Sequence, residues 1–173
     1  NMIASKGQSI PATTILSIEN SDGDVIYEYE QPKKKQVISE EDAFLLTDMM
    51  TGMFDATLSD YSPATGLSIR PKMTHTYAGK SGTTNTDQWM IGYTPTLTAG
   101  VWNGFDKEKT LTNQTDLAAT KRIWIDFMES ALAGTKKQSF DVPDGVEGVL
   151  IDIESGKLAT DLCEKQRFVY VKS

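Results

Sequence analysis

At 173 residues the chain is long enough for one domain with a real core, or for one domain plus a small appendage. Lysine and arginine total 17 against 24 acidic residues, and the resulting formal charge of −7 argues against nucleic acid or an anionic membrane as the main partner. One cysteine, Cys163, excludes an intrachain disulfide and any multi-cysteine metal site, and one histidine, His75, excludes paired-histidine metal sites and leaves little for a Ser-His-Asp triad.

In chain order, the opening "NMIASKGQSIPATTIL" starts mid-pattern, which predicts a piece of a longer protein. No run approaches the roughly 18 apolar residues of a membrane span, and no secretory leader is visible. Residues 14–30, "TILSIENSDGDVIYEYE", are two β-rich runs around an Asp-Gly turn, a hairpin signal. The polar connector "QPKKKQ" at 31–36 carries lysines read as solvated. A helix should then start at Ser39, with Asp42 three residues on as in a capping box, and Glu40, Glu41 and Asp42 suiting the positive helix end. Ala43, Leu46, Met49, Met50 and Met53 recur at spacings of three and four and predict its apolar face, the methionines acting as core filler. Residues 55–72 are rich in turn formers and read as a long ordered loop, a feature that is often functional inside a compact domain.

From residue 73 the pattern turns to β. "MTHTYAGKSG", "DQWMIGYTP" (Trp89, Ile91 and Tyr93 on one face) and "LTAGVWNGF" predict three strands in an antiparallel meander. A second helix is expected from about Thr115 to Leu132, with Leu117, Trp124, Phe127, Met128, Ala131 and Leu132 as its stripe and Gly134 ending it. Beyond Gly134, short β runs and turn signals at Pro143-Asp144-Gly145 and Glu154-Ser155-Gly156 predict a small extension, giving units at 1–134 and 135–173. No internal repeat appears.

The stretch with most chemistry is Gly79-Lys80-Ser81-Gly82-Thr83-Thr84. As a phosphate loop it fails: the glycine needed five residues before Gly79 is Thr74, and a strand rather than a helix follows. As a strand edge it has the residues of a peptide-docking site in serine acyl-transfer enzymes. A lysine offers a positive charge to a substrate carboxylate and can influence proton transfer. The neighbouring hydroxyl adds a directional hydrogen bond, glycine lets a substrate backbone lie close, and the next N–H can donate to an oxyanion.

Around that stretch, "AGKSGTTNTDQWMIGYTPTLTAGVWNGFD" closely resembles class A penicillin-binding proteins. There a Gly-Lys-Thr-Gly-Thr-Thr box is followed by an acidic-aromatic pair, Gly-Tyr-Thr-Pro and Gly-Val-Trp-x-Gly. "NMIASKGQSIPATTILSI", "QVISEEDAFLLTDMM" and "AATKRIWIDFMESAL" look like that family's segments in the same order, and the tail "GVLIDIESGKLATDLC" looks like its usual extension. The resemblance covers residues 1–134 well. It implies an α+β fold, an antiparallel sheet packed by helices, with a small β-rich C-terminal extension.

It also implies roles. Lys80, Ser81 and Gly82 stand where the family has Lys-Thr-Gly, the serine preserving the hydroxyl. Thr83 would supply the oxyanion N–H and a second contact to the substrate carboxylate. Thr84 is either a further rim contact or a strand residue with no ligand contact. Two family boxes are missing: no serine here has lysine three residues later or asparagine two later. Ser21-Asp22-Gly23 only looks like Ser-Asp-Asn and sits in a hairpin turn. The expectation is therefore the C-terminal part of a transpeptidase domain, with the nucleophile serine on an upstream part of the same protein.

The resemblance further implies peptidoglycan stem peptides and β-lactam antibiotics as partners, no metal or organic cofactor, an N-terminal membrane anchor with this domain outside the cell, and an upstream glycosyltransferase domain. A serine β-lactamase-like hydrolase and a non-catalytic peptidoglycan-binding module are the alternatives. His75 and Cys163 read as structural, Trp89 and Trp102 as sheet-face packing, and Tyr61 with the loop Ser62–Gly66 as candidates for the site's rim.

Overall fold

The computed structural model describes residues 2–59, 62–107, 109–112 and 114–173, with 114–117 as backbone only. Tyr61 and the side chain of Leu117, both singled out above, lie outside the described residues.

A short pair, β1 (Gln8–Ser9) with β4 (Lys35–Gln36), closes the base of a hairpin made of β2 (Ser17–Glu19) and β3 (Val25–Glu28). The Asp-Gly signal gave this turn correctly. Gly23 takes φ +87, where a side chain would be strained, and Asn20 Oδ1 accepts the N–H groups of Asp22 and Asp24 at 2.9 and 2.8 Å. Lys33, Lys34 and Lys35 are exposed, as the solvated reading of 31–36 expects, although Lys35 and Gln36 also form a short strand.

Helix α1 spans Glu40–Thr51, and the Ser39 hydroxyl accepts the Asp42 N–H at 3.1 Å, as the capping pattern predicts. Its buried face is Ala43, Phe44 and Thr47, whereas Leu46 is 39% and Met49 72% exposed. The expected apolar face is thus corrected by about one residue. Phe44 packs edge-on against Tyr170 (5.1 Å between centroids), and the Thr47 hydroxyl meets the Tyr93 hydroxyl at 2.8 Å. Those two grips set the rotation, and hydrophobicity alone does not reveal a threonine turned inward. Met53 and Phe54 do enter the core, from a 3-10 turn at Gly52–Phe54. The expected long loop contains further 3-10 segments at Ala56–Leu58 and Leu67–Lys72.

The central sheet is the meander β5 (Ala78–Thr83), β6 (Asp87–Tyr93) and β7 (Thr98–Gly104), in that spatial order. β5 begins at Ala78 rather than Met73, because Met73–Tyr77 is committed to contacts with the second helix described below. Trp89 and Ile91 do share one face, but that face is the outer one: they are 47% and 46% exposed, while Gln88, Met90 and Gly92 point inward. Trp102, opposite Trp89 in the register, is 44% exposed as well, and its ring lies along the sheet over Gly104, where a Cβ would meet Cζ2 at 2.5 Å, so it packs on the sheet face as expected while part of that face stays open.

Helix α2 (Gln114–Ala131) lies behind the inner face. Trp124, Ile125, Met128 and Leu132 are buried, and Phe127 and Ala131 are exposed, which corrects two members of the expected stripe and adds Ile125. Trp124 is the anchor. It stacks on Phe54, meets Tyr77 edge-on at 5.3 Å, and donates its indole N–H to the Ala99 carbonyl at 3.1 Å. Gly134, at φ +75, ends the helical run as expected.

The tail forms a hairpin, β8 (Val146–Asp152) with β9 (Gln166–Lys172), and β9 packs on α1 through Tyr170 and a Lys172–Asp42 ion pair at 3.1 Å. Both turn signals hold, with Gly145 and Gly156 at φ +84 and +69. Cys163 is half-buried in a turn, where its sulfur accepts the Thr160 N–H at 3.4 Å.

Candidate active site

Strand β5 pairs only with β6 among the described residues, so its other edge is open. Residues of an antiparallel strand alternate between bonding the neighbour and turning away. Thr84 N–H donates to the Asp87 carbonyl at 2.9 Å, and the register Gly82↔Trp89 and Lys80↔Ile91 continues that set. The N–H and C=O groups of Gly79, Ser81 and Thr83 therefore face the open edge. The amide expected to serve an oxyanion, that of Thr83, is among them.

Side chains alternate as well. Lys80 and Gly82 lie on the outer face beside Ile91 and Trp89, and Ser81 and Thr83 lie on the face toward α2. Lys80 is exposed, and its ammonium curls back to the outward Ser81 carbonyl at 2.6 Å. No carboxylate pairs with it among the described residues. Gly79 sits in a tight spot: a Cβ there would meet Met90 Cε at 3.0 Å and Phe54 Cζ at 3.1 Å, so these side chains would have to give way slightly. Gly82 does not, since its Cβ would meet only Trp89 Cβ at an ordinary 3.7 Å.

Thr84 sits differently from the residues before it. Its hydroxyl accepts the N–H groups of Thr86 and Asp87 at 3.2 and 2.9 Å, which fixes the β5–β6 turn. Asp87 is held further by the Trp102 indole N–H at 2.8 Å and the Thr86 hydroxyl at 2.9 Å, and these donors keep its carboxyl below the usual range. The turn that follows Thr83 is thus tied by side chains as well as backbone.

Ser81 is approached by Thr65, from the loop named as a candidate rim, and Thr65 in turn by Lys121, which the sequence did not mark. The Ser81 hydroxyl donates to Thr65 Oγ1 at 3.2 Å, and Lys121 of α2 donates to the Thr65 carbonyl at 2.6 Å. Thr65 belongs to the loop flagged as a rim, and its turn is fixed by the Gly66 N–H on the Met53 carbonyl at 2.9 Å. Lys121 had no signal of its own, being one cation among many on a helix. Burial, and after it the charge of Lys80, holds its ammonium below the ordinary lysine range.

The approach to β5 is fastened by Glu129. Its carboxylate accepts the Thr74 N–H at 2.9 Å, the Thr74 hydroxyl at 2.6 Å and the Tyr77 hydroxyl at 2.6 Å. Desolvation alone would raise this carboxyl, but the bonds from Thr74 and Tyr77 outweigh it and hold it below the ordinary value of 4.5. Burial, then Glu129 itself, pushes the Tyr77 phenol upward. His75 meets the Thr74 hydroxyl through Nδ1 at 2.9 Å, which makes it part of this fastening and not of the strand edge.

A depressed folded-state pKa contributes stability that is present above the unfolded value and lost as pH falls through the folded one. Glu129→Gln is therefore expected to lower stability by about 1–2 kcal/mol at neutral pH, with the gap closing as pH drops below the carboxylate range. Urea unfolding at a series of pH values measures it, and a gap independent of pH would contradict the assignment.

Residues 1–129 match the transpeptidase domain of penicillin binding proteins. The chain belongs to that family.

Among curated relatives of this penicillin-binding protein chain, penicillin-binding protein 2D of Bacillus subtilis is 44% identical over 169 residues, covering 98% of this chain and 24% of the relative. Penicillin-binding protein 1A of Rickettsia typhi is 29% identical, covering 92% of this chain and 22% of the relative. The chain thus spans about a quarter of the length of these relatives. A crystal structure of penicillin-binding protein 1A from Haemophilus influenzae superposes with a TM-score of 0.76 at 19% identity, covering 97% of this chain and 30% of that one, which establishes the shared fold. The α+β architecture expected from the sequence is that of the penicillin-binding transpeptidase neighbours. No described helix is long and apolar enough to cross a membrane.

Proposed function

We propose that this chain forms the carboxylate-docking and oxyanion side of a peptidoglycan D,D-transpeptidase site. One observation carries the reading: in a chain of the transpeptidase family, the open edge of β5 presents the Lys80 ammonium, which pairs with no carboxylate among the described residues, beside an outward-facing Thr83 N–H. Lys80 and the Ser81 hydroxyl receive the terminal carboxylate of a stem peptide, with the Thr83 hydroxyl as a further contact. Gly82 lets the peptide backbone lie along the strand. The Thr83 N–H donates to the carbonyl oxygen as it gains charge. Thr84, whose hydroxyl is committed to the turn, supports the rim by fixing the position of Thr83.

The nucleophile serine, with its Ser-x-x-Lys and Ser-x-Asn boxes, lies in this reading on an upstream part of the same protein. The half-exposed outer face around Lys80, with Trp89, Ile91 and Trp102, supports coverage by that part. The serine oxygen adds to the penultimate D-Ala carbonyl, and the amide C–N bond breaks. The serine proton passes to the departing D-Ala amine, leaving an ester. An amine of a neighbouring stem then attacks the ester, the new amide forms, and a proton returns to the serine. A β-lactam stops at the ester because its amine stays tethered in the opened ring.

The whole protein is proposed to sit at the outer face of the cell membrane, held by an N-terminal helix, with a glycosyltransferase domain upstream. The transpeptidase unit is proposed to end near Gly134, and residues 135–173 to form an appended hairpin module.

Gly82→Ala separates this function from folding. A methyl group at that position meets only ordinary contact, so the unfolding midpoint should not move. Labelling of the full-length protein by a fluorescent penicillin should slow by about tenfold or more, because the methyl occupies the lane of the substrate backbone. Labelling at the wild-type rate would remove β5 from the docking site, and a full-length protein that takes no label at all would overturn the enzymatic reading.

A further inference from the structure

Lys121 is a cation near β5 for which the transpeptidase reading gives no task. It is half-buried on α2, and its ammonium donates to the Thr65 carbonyl at 2.6 Å. It makes no ion pair among the described residues, whereas Lys6, Lys72, Lys165 and Lys172 all do. After burial, the charge of Lys80 is felt at Lys121 and disfavours its ammonium form. Between the two lysines lies Ser81, whose hydroxyl donates to Thr65 Oγ1 at 3.2 Å. A half-buried lysine with no ion pair among the described residues is a costly arrangement for stability alone, since burial disfavours its charge and the like charge of Lys80 disfavours it further. An anion at the strand edge relieves both penalties.

We propose that Lys121 is a positioning residue of the carboxylate-docking edge: through Thr65 it orients the Ser81 hydroxyl, and with Lys80 it flanks the docked substrate carboxylate with positive charge on both faces of β5. The inference rests on the reading of β5 as the docking strand. Thr65 is the hinge of the device. Its carbonyl is pinned by Lys121, and its hydroxyl holds the Ser81 proton donor until a carboxylate takes that bond.

The test uses the full-length protein and two probes, benzylpenicillin and its methyl ester, which differ in the carboxylate charge. Lys121→Met should slow acylation by the acid about fivefold while leaving the ester unchanged, and Lys121→Arg should restore the acid rate. A merely structural role slows both probes equally, so an unchanged acid-to-ester ratio in Lys121→Met overturns the proposal whether or not that variant is less stable. Lys80→Ala in the same assay separates the two levels. If it collapses the ratio and Lys121→Met does not, only the role of Lys121 falls. If Lys80→Ala leaves the ratio intact, the docking reading itself fails and the inference falls with it.

Discussion

Lys80→Ala is expected to slow acylation of the full-length protein by a penicillin by about 10²- to 10³-fold, with the unfolding midpoint unchanged. The second half of that expectation comes from the packing. Lys80 is exposed, and among the described residues its ammonium bonds only the carbonyl of the next residue on its own strand. Truncating it opens no cavity and orphans no buried group, so the effect on stability should stay within about 0.5 kcal/mol. The first half comes from the chemistry. A hydrogen bond between a carboxylate and an ammonium is worth about 1.5–3 kcal/mol, one to two powers of ten in rate when it is made fully only with the reacting substrate in place. Loss of its influence on proton transfer adds the remainder. Lys80→Arg should recover part of the rate, because the charge survives while the planar fork replaces a compact ammonium that fits beside the Ser81 carbonyl. Stopped-flow acylation measures both variants. A rate for Lys80→Ala within about twofold of wild type would remove this residue from the site, since even a weak charged contact exceeds that.

The residues that made this prediction possible were legible in the sequence because they form one contiguous stretch. Lys80, Ser81, Gly82 and Thr83 need only a strand and a register to take up their places, and period-two alternation follows from the strand alone. What the sequence concealed is tertiary. Thr65, in the loop named as a rim, meets Ser81 across 16 positions of sequence, and Lys121 reaches Thr65 across 56, from a helix whose rotation is set elsewhere. Helix faces were misread for the same reason. α1 turns on Phe44 and Thr47, which answer to Tyr170 and Tyr93, while Leu46 and Met49 are exposed. On α2, Phe127 and Ile125 exchange the roles that hydrophobicity gives them, because Trp124 fixes the helix against the sheet. The start of β5 moved from Met73 to Ala78 because Glu129, distant in sequence, captures Thr74 and Tyr77 first.

Gly92→Ala is expected to carry the largest stability loss of any single added methyl group in the sheet, about 3 kcal/mol. A Cβ on Gly92 would stand 2.5 Å from Trp124 Cζ2 and 2.9 Å from the Ala78 carbonyl oxygen. The indole cannot yield cheaply. It is fully buried, stacked on Phe54, edge-on to Tyr77, and bonded through its N–H to Ala99. The carbonyl belongs to β5, so the alternative is to push β5 away from β6 at the base of the strand that carries Lys80 and Thr83. Gly100→Ala is the matched control, because its Cβ would meet Ile91 Cγ1 at an ordinary 3.5 Å, and it should shift the denaturation midpoint little. Trp124→Leu alone should cost about 3 kcal/mol through lost packing, yet it vacates the space the Gly92 methyl needs. The double variant should therefore lose clearly less than the sum of the singles, by about 1 kcal/mol or more. Strict additivity would mean that the methyl is absorbed by movement of β5 rather than resisted by the indole. In that case acylation of Gly92→Ala should fall even where the protein remains folded, because the displaced strand takes the proposed docking edge with it.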